Sequence, residues 1–450
     1  MSRFEPTKEF VAQLQQCISE KNAEGVLALL EGLHAADIAQ FYDELEVEEA
    51  QYIYLLMAGD KAADALMELD EEDREELLEN VPSEVIARHF VDNMDTDDAV
   101  ELIRELDEDE QEEILSHIED VEQAGDIVDL LKYDEDTAGG IMGTEMIVVN
   151  EEWSMPECLK EMRLQAEELE NIYSIYVVDD DNRLQGVFPL KRMITSPSVS
   201  RVKHVMVKDP ISIKVDTPLD EVPYVFEKYD LVAIPVVDSI GRLVGQITVD
   251  DVVDEMKEMA ERDYQLASGI SQDVETSDNV LVQTSARLPW LVIGMIGGLS
   301  NSVILGKFES FFATNPKMAI FIPLIGGTGG NVGIQSSAIV VQGLANKSLN
   351  MGKLWSQVFK ESAVALINAS MISLLVFLYN YFMLGNDTVT YSVSISLFAV
   401  VVFASIFGTL VPMTLEKLNI DPAIATGPFI TITNDIIGML IYMGVSSFLS

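Results

Sequence analysis

An aspartate, Asp435, lies near the middle of an apolar stretch at the C-terminal end of the chain. Gly427 and Thr431 precede it at intervals of four, so a helix would place all three on one face, and Asn434 and Gly438 would lie beside that face. An ionised aspartate at the centre of a spanning helix costs roughly 2.5 to 3.5 kcal/mol on insertion scales, and such residues usually face a pathway. A hydrogen-bonded carboxyl that only joins helices is the alternative. Because no lysine or arginine inside the predicted spans is available as a partner, we predict that Asp435 binds a passing cation.

A second stretch of unusual composition, FIPLIGGTGGNVGIQSS, begins at position 321. It combines Pro323 and five glycines with the polar residues Thr328, Asn331 and Gln335. Each interior glycine costs a helix up to about 1 kcal/mol relative to alanine, and proline costs more. We therefore predict irregular backbone at membrane depth, which is tolerated where it lines a wet cavity, and we count Asn331 among the candidate ion ligands. The alternative is a helix whose small residues allow close packing.

Five apolar stretches approach the roughly 20 residues that a bilayer requires. They cover about 288–310, 317–345, 361–385, 389–414 and 424–449. We take Asp435 as the only carboxylate inside them. Connections on the N-terminal side contain Arg287, Lys347, Lys353, Lys360 and Lys417, and those on the other side contain Lys307 and Lys317. An odd number of spans together with the positive-inside rule predicts a cytoplasmic N-terminus and an external C-terminus.

The charges are concentrated in the first 270 residues, which contain 21 of the 28 basic and 67 of the 76 acidic side chains. This acidic region lacks the basic surface that binding to nucleic-acid phosphates requires, which excludes nucleic acid as a partner. Cations are its natural partners instead. The N-terminal residues contain no apolar core of signal-peptide length, so we expect the acidic region to remain in the cytoplasm.

Two sequence patterns divide the acidic region. Residues 20–130 alternate short apolar-periodic helices with acidic turns, which is typical of a small helical solenoid. The segments IYVVDDDNRLQG and IPVVDSIGRLVG then repeat at an offset of 59 residues, and each predicts a strand, a turn and a second strand after a helix. These paired units resemble a CBS-domain tandem, a regulatory module that often binds adenine nucleotides.

The likeness to CBS domains implies a ribose-contact pattern, Gly-x-x-Ser/Thr-x-x-Asp. The second copy contains this pattern as Gly245, Thr248 and Asp251, whereas the first copy departs from it. Asp251, Asp254 and Glu258 lie at spacings of three and four, which lines their carboxylates along one helix face. Their mutual repulsion would oppose packing unless a divalent cation intervened.

The order of these parts resembles the MgtE family of magnesium channels and transporters, over essentially the whole chain. Three stretches carry the resemblance, KYDEDTAGGIMGTE, PLIGGTGGNVGIQS and DPAIATGPFITITNDIIG. The family implies a homodimer with an ion path between protomers, a pore carboxylate that matches Asp435, and soluble domains that bind magnesium and close the pore. The regulatory metal ligands implied for this chain are Asp220, Asp230, Asp250, Asp251, Asp254, Glu258 and Asp421.

We therefore predict a multidomain fold that consists of an all-α helical solenoid, an α/β CBS-domain pair, a connecting helix and a transmembrane domain of five α-helices. The boundaries are 1–132, 133–251, 252–286 and 287–450. The predicted ion-binding residues of the membrane domain are Asp435, Asn434, Thr431, Gly438 and Asn331.

The predicted function is Mg²⁺ uptake across the cell membrane, gated by cytoplasmic Mg²⁺. The predicted ligands are Mg²⁺ and, at the CBS domains, ATP or another adenine nucleotide. No residues show the spacing of a catalytic nucleophile and its base, so we expect no enzymatic activity. Two alternatives stay open, namely an exchanger that couples divalent cations to sodium or protons, and a membrane-anchored nucleotide sensor.

Overall fold

The computed structural model describes residues 6–167, 169, 171–271, 274, 279–345, 354–418, 420–425 and 427–449. The chain forms two compact units, Met1–Met256 and Lys257–Ser450. The first unit is α-helical and then α/β, and the second is α-helical.

Short helices make up the beginning of the first unit. Acidic residues occupy the first turn of most of them, where the helix dipole favours negative charge. The side chains of Thr7, Asn22 and Asp120 accept hydrogen bonds from backbone amides at the start of a helix and so cap it. The predicted succession of short helices is confirmed. The helices are α1 Lys8–Ser19, α2 Ala23–Leu30, α3 Ala35–Ala39, α4 Val47–Tyr54, α5 Gly59–Met67, α6 Glu71–Leu78, α7 Ser83–Val85, α8 Thr96–Arg104, α9 Glu108–His117 and α10 Val121–Leu130.

Two α/β modules follow, and they share one topology. In each module a strand pairs in parallel with the strand after the helix, and that strand pairs antiparallel with the next. Both antiparallel pairs also have a register irregularity at the same place in the repeat, so the predicted internal repeat is confirmed. The first module comprises β1 Ile147–Asn150, α11 Met155–Gln165, β2 Ile175–Val178, β3 Leu184–Val187, α12 Leu190–Thr195, α13 Val202–Val205 and β4 Val207–Lys208. The second comprises β5 Ile213–Lys214, α14 Val222–Tyr229, β6 Ala233–Val237 and β7 Leu243–Thr248.

A helix of 20 residues, α15 Val249–Ser268, begins directly after β7. It starts within the first unit and ends within the second. Gly269 follows the helix with a φ of 82°, a left-handed conformation that glycine adopts without strain. The helix therefore covers the first part of the segment 252–286, and the next helix among the described residues begins at Val280.

The second unit is built from long helices. Four of them, within the part of the chain that is described, are long and apolar enough to cross a membrane, namely α16, α20, α21 and α22. A further long helix, α19, packs against α21 and α22. The helices are α16 Val280–Lys307, α17 Glu309–Thr314, α18 Pro316–Ala319, α19 Ile322–Ala345, α20 Leu354–Leu384, α21 Thr388–Lys417 and α22 Gly427–Leu449.

The predicted break in the glycine-rich stretch is wrong, because α19 is one continuous helix from Ile322 to Ala345. Pro323 lies at its start, where a missing backbone N–H breaks no helical bond. The glycines allow neighbouring helices to come very close. A Cβ on Gly333 would collide with the side chain of Asn434, and a Cβ on Gly408 would collide with the carbonyl oxygen of Gly333. Dispersion contacts across these approaches offset the low helix propensity of glycine.

Two polar contacts join the short helix α18 to the long helices α21 and α22. Lys317 Nζ lies 2.8 Å from Asp387 Oδ2, and Asp387 also caps the start of α21. The hydroxyl of Tyr442 on α22 donates to the carbonyl oxygen of Met318 at 2.8 Å. Polar contacts as well as apolar packing therefore hold α18 against its neighbours in the second unit.

The crossing of α19 and α21 yields a test of this packing. We expect Gly408→Ala to lower the unfolding temperature of the purified chain in detergent, because overpacking of this kind typically costs about 1–3 kcal/mol. Gly298→Ala on α16 is the matched control, since a Cβ there would meet no atom within 4 Å. An equal effect of both substitutions would show that the close crossing is unimportant for stability.

Candidate ion-binding cavity and acidic clusters

A cavity of about 310 Å³ lies between α16, α19 and α22 in the second unit. Its polar lining consists of Asn301, Asn331, Thr431 and Asp435, and the backbone of three glycines of α19 lines it as well. Oxygen atoms of carboxylates, amides and carbonyls are the ligands that Mg²⁺ and Ca²⁺ take in proteins. The cavity therefore has the donor chemistry of a hard-cation site.

The Asp435 carboxylate lies directly against the backbone of α19. Its Oδ1 atom is 3.3 Å from the point that a Cβ of Gly326 would occupy, and 3.8 Å from the corresponding point of Gly330. A larger residue at either position would take space beside the carboxylate. One turn earlier, the hydroxyl of Thr431 donates to the carbonyl oxygen of Gly427 at 3.1 Å, which leaves its oxygen able to accept a hydrogen bond or bind a cation.

Asn434 and Gly438, two of the predicted ion ligands, do not line this cavity. Asn434 is 1% exposed and packs against Gly333 of α19, and its amide atoms have no hydrogen-bond partner within the described part of the chain. A Cβ on Gly438 would lie 3.3 Å from Val400 of α21. The face of α22 that carries these two residues therefore contacts other helices, and the neighbouring face carries Thr431 and Asp435.

Asp435 is not the only carboxylate inside the long helices, so that expectation is wrong. Glu361 on α20 is 8% exposed, and its Oε1 atom accepts hydrogen bonds from Ser336 of α19 and Ser405 of α21. The sequence analysis missed it because Glu361 is the first residue of the third predicted span, where a carboxylate would be expected to reach water. The helix begins earlier, at Leu354, which places Glu361 in its interior.

The end of α15 meets the start of α22 within the second unit. A Cβ on Gly427 would collide with the carbonyl oxygen of Ala267, so this position has no room for a side chain. Nearby, burial and then the charge of Asp421 raise the pKa of Asp263 on α15. The structure therefore brings the predicted regulatory residue Asp421 close to Asp263, which the sequence analysis had not singled out.

A second acidic cluster lies within the first unit, where α8 meets the α/β modules. A Cβ on Gly143 would lie 2.9 Å from Glu145 Oε2 and 3.0 Å from Asp97 Oδ2, so these two carboxylates converge on one point. Thr96 binds Glu145 through its backbone amide at 3.0 Å and its hydroxyl at 2.9 Å. This contact holds the carboxylate of Glu145 at the start of α8.

Burial, together with the neighbouring charges, raises the pKa values of carboxyl groups in this cluster. Burial, and then the charge of Asp251, raises the pKa of Asp97 well above its usual value. Burial, and then the charges of Glu101 and Asp95, raises the pKa of Asp98 to about 7. Burial also raises the pKa of Asp251. Asp97, Asp98 and Glu145 were missed from the sequence because their partner, Asp251, lies more than a hundred residues away.

The residues of the nucleotide pattern lie close together but contact protein groups. Thr248 donates to Asp251 Oδ2 through its backbone amide at 2.9 Å and its hydroxyl at 2.7 Å, and the hydroxyl also contacts Asp250. A Cβ on Gly245 would lie 2.8 Å from the carbonyl oxygen of Gly143. Asp251 therefore belongs to both the predicted nucleotide pattern and the acidic cluster.

The remaining predicted regulatory residues are more dispersed. Asp220 lies in the 3₁₀ turn Leu219–Glu221, and Asp230 ends α14 in a left-handed conformation with a φ of 51°. Asp254 and Glu258 follow Asp251 on α15. Within the described residues, no three His, Cys, Asp or Glu side chains have the geometry of a complete metal site.

Together these parts define the class of protein to which the chain belongs. It is a membrane protein that combines an acidic helical domain with two CBS-like modules. The C-terminal part of the chain, residues 322–445, matches the family described as MgtE, divalent cation transporter. The MgtE intracellular N domain matches residues 33–136, and CBS domains match 138–197 and 202–258.

The chain belongs to the MgtE family, because relatives match it over almost its whole length. A protein of Thermus thermophilus named magnesium transporter MgtE is 32% identical and covers 98% of this chain and 99% of its own. A protein of the same name in Enterococcus faecalis is 33% identical and covers 99% of this chain and 98% of its own. Among solved structures, the cytosolic domain of the Mg²⁺ channel MgtE in complex with ATP is 32% identical, with a TM-score of 0.51, and covers 54% of this chain and 99% of its own.

The acidic cluster makes the stability of the first unit depend on pH. A carboxyl whose pKa is raised in the folded state takes up protons on folding, so stability is greatest below its unfolded pKa and falls as pH rises. In EDTA we expect the unfolding temperature of the first unit to fall as pH rises from about 4 to about 7. The free energy of unfolding falls over this range by up to about 1.4 kcal/mol per pH unit for each such carboxyl.

Asp98→Asn should reduce this dependence and raise the unfolding temperature at pH 8. Asp109→Asn, which changes an exposed residue of α9, is the matched control. Thermal unfolding of the full chain at a series of pH values measures both. The same pH dependence in wild type and Asp98→Asn would contradict the assignment.

Proposed function

We propose that this protein carries Mg²⁺ across the membrane through the cavity beside Asp435. The observation that supports the proposal most directly is this carboxylate, which lies with three other polar side chains in a cavity between α19 and two helices, α16 and α22, that are long and apolar enough to span a bilayer. Mg²⁺ gives up its water reluctantly and usually binds through one or two carboxylates. A cavity with one carboxylate and several amide, hydroxyl and backbone oxygens suits a largely hydrated ion.

The transport path is completed by a second copy of the chain in this proposal. Two Asp435 carboxylates on either side of a dimer axis would neutralise one divalent ion. The membrane domain would then contain five spans in each protomer, with α19 as the second span. The N-terminus would be cytoplasmic and the C-terminus external, as the distribution of basic residues indicates.

The acidic clusters serve as the gate in this proposal. Asp97, Glu145 and Asp251 lie close enough for each ionised carboxylate to oppose the next, and Mg²⁺ would remove this repulsion. The ion favours the compact arrangement only if it binds that arrangement better than the open one. At its C-terminal end, α15 contacts Gly427, two turns before Asp435, so movement of α15 would reach the pore helix directly.

An adenine nucleotide at the second CBS module is a further part of the proposal. The relative of known structure was solved in complex with ATP, and this chain has the corresponding Gly245, Thr248 and Asp251. Since Asp251 also belongs to the acidic cluster, nucleotide and Mg²⁺ would influence each other through this residue. A channel and a coupled exchanger both use intramembrane carboxylates, and flux with and without imposed sodium or proton gradients distinguishes them.

Removal of the Asp435 charge tests the transport site. We expect Asp435→Ala and Asp435→Asn to abolish Mg²⁺ uptake by proteoliposomes and growth of a host without its own uptake systems, because neither side chain can neutralise the ion. Uptake is measured with a Mg²⁺-sensitive dye inside the vesicles.

Glu416→Gln is the matched control, since it removes a carboxylate from the exposed last turn of α21. It should leave uptake unchanged. Undiminished uptake by well-folded Asp435→Ala would show that the ion does not pass this residue.

The gate is tested by limited proteolysis of the full chain. We expect cleavage of the first unit to slow as Mg²⁺ rises through about 0.1 to 10 mM, the range of weak carboxylate sites. K⁺ at equal ionic strength should protect much less, because screening does not bridge carboxylates.

The double variant Asp97→Ala/Asp251→Ala should be better protected without Mg²⁺ and should respond less to it, because it loses both the repulsion and the ligands. Asp109→Ala serves as the control. Equal protection by Mg²⁺ and K⁺ would remove the support for ion sensing by the first unit.

A further inference from the structure

Glu361 is a buried carboxylate that the proposed transport site does not use. It lies on α20 and is 8% exposed, while Ser336 on α19 and Ser405 on α21 are 4% and 2% exposed. No lysine or arginine forms an ion pair with Glu361 within the described residues. A carboxylate inside a membrane protein is retained where it has a specific role, because its burial is unfavourable.

One oxygen atom of Glu361 joins three helices. The hydroxyls of Ser336 and Ser405 lie 2.7 Å and 2.8 Å from Glu361 Oε1, and the two hydroxyl oxygens lie 2.9 Å from each other. Hydrogen bonds to a carboxylate are stronger than those between neutral groups and depend steeply on distance and angle. These three residues, which we call the Glu361 clamp, therefore fix the rotation of α19 about its axis and its position along that axis relative to α20 and α21.

The clamp and the ion cavity are connected through α19. Ser336 follows Asn331 and Gly330, which line the cavity, by less than two helical turns. Between them, Gly333 lies against Gly408 and Asn434, so α19 can slide or turn at this crossing only by separating the helices. Because α19 is one continuous helix, a displacement at Ser336 large enough to separate this crossing also moves Gly330.

The position of α19 determines the space beside Asp435. Because the Asp435 carboxylate lies against Gly326 and Gly330, a shift of α19 alters the distance between the carboxylate and the wall of the cavity that α19 forms. A hydrated cation interacts with both. The distance between them thus affects how well ions of different hydrated size are held.

We propose that Glu361 is a positioning residue for ion binding, which sets the width of the Asp435 cavity through Ser336 and α19 without touching the ion. This inference rests on the proposed transport of Mg²⁺ through that cavity. Its chemical requirement is a hydrogen-bond acceptor at Oε1 and two hydroxyl donors. A negative charge on Glu361 is not required.

The test compares Glu361→Gln with Glu361→Ala in the full chain, reconstituted in proteoliposomes. The amide oxygen of glutamine accepts both serine hydrogen bonds, so we expect Glu361→Gln to keep the wild-type apparent KM for Mg²⁺ and the wild-type ratio of Mg²⁺ to Co²⁺ uptake. Glu361→Ala removes the acceptor. We expect its apparent KM for Mg²⁺ to rise about tenfold, with a smaller change in maximal rate, and its Mg²⁺ to Co²⁺ ratio to change.

Two further variants keep the test decisive if Glu361→Ala does not fold. The double variant Ser336→Ala/Ser405→Ala removes the donors and leaves the carboxylate, and it should reproduce the change in KM. Ser373→Ala is the matched control. Ser373 lies on α20, as Glu361 does, and its buried hydroxyl has no hydrogen-bond partner among the described residues. It should behave as wild type, and thermal unfolding in detergent verifies the folding of every variant.

Each remaining outcome contradicts a specific statement. Loss of uptake in Glu361→Gln would show that the charge is required, so that Glu361 binds a cation itself and the positioning role is wrong. An unchanged KM and ion ratio in folded Glu361→Ala, or in the double serine variant, would reduce the clamp to helix packing. Wild-type chain that takes up no Mg²⁺ would instead refute the proposed function, which separates the two failures.

Discussion

The cost of removing carboxylates from water is the constraint on which both units depend. An isolated carboxylate in a low-dielectric interior is strongly unfavourable unless hydrogen bonds or an opposite charge compensate it. In the helical domain the compensation is an arginine, because Arg74 lies between Glu101 and Glu105. Asp97, Asp251 and Asp435 form no ion pair with a lysine or arginine among the described residues. The buried carboxylates thus fall into three groups: Glu105 is paired with an arginine, Glu361 accepts hydrogen bonds from two serines, and those where we propose that a cation binds have no basic partner among the described residues.

Small residues in α19 determine how closely the membrane helices approach. Gly326 and Gly330 allow the Asp435 carboxylate to lie on the helix backbone, and on another face Gly333 allows the crossing with α21 at Gly408. The same helix, α19, therefore lines the cavity and makes one of the closest helix contacts among the described residues of the unit. The same glycines that weaken the isolated helix make it the element around which the cavity is built.

Contacts at the start of α22 give this helix a direct neighbour on α15. Ala267 lies against Gly427, and the carbonyl oxygen of Gly427 accepts the hydroxyl of Thr431. Asp435 follows one turn later on the same face. A displacement at the end of α15 would therefore act directly on the helix that carries Asp435, the carboxylate that we propose binds the ion.

The sequence by itself determined the order of parts and the internal repeat, and it singled out Asp435 as a candidate ion ligand. These features are local: hydrophobic periodicity predicts helices, alternating buried segments predict the strands, and a lone carboxylate in an apolar stretch stands out. The sequence was misleading where local propensity and tertiary packing conflict. Glycines predicted a broken α19, yet close helix approach holds it continuous. Only the tertiary structure could show that Asn434 faces away from the cavity, that Glu361 is buried between two serines and that Asp97 meets Asp251, because each depends on residues far apart in the chain.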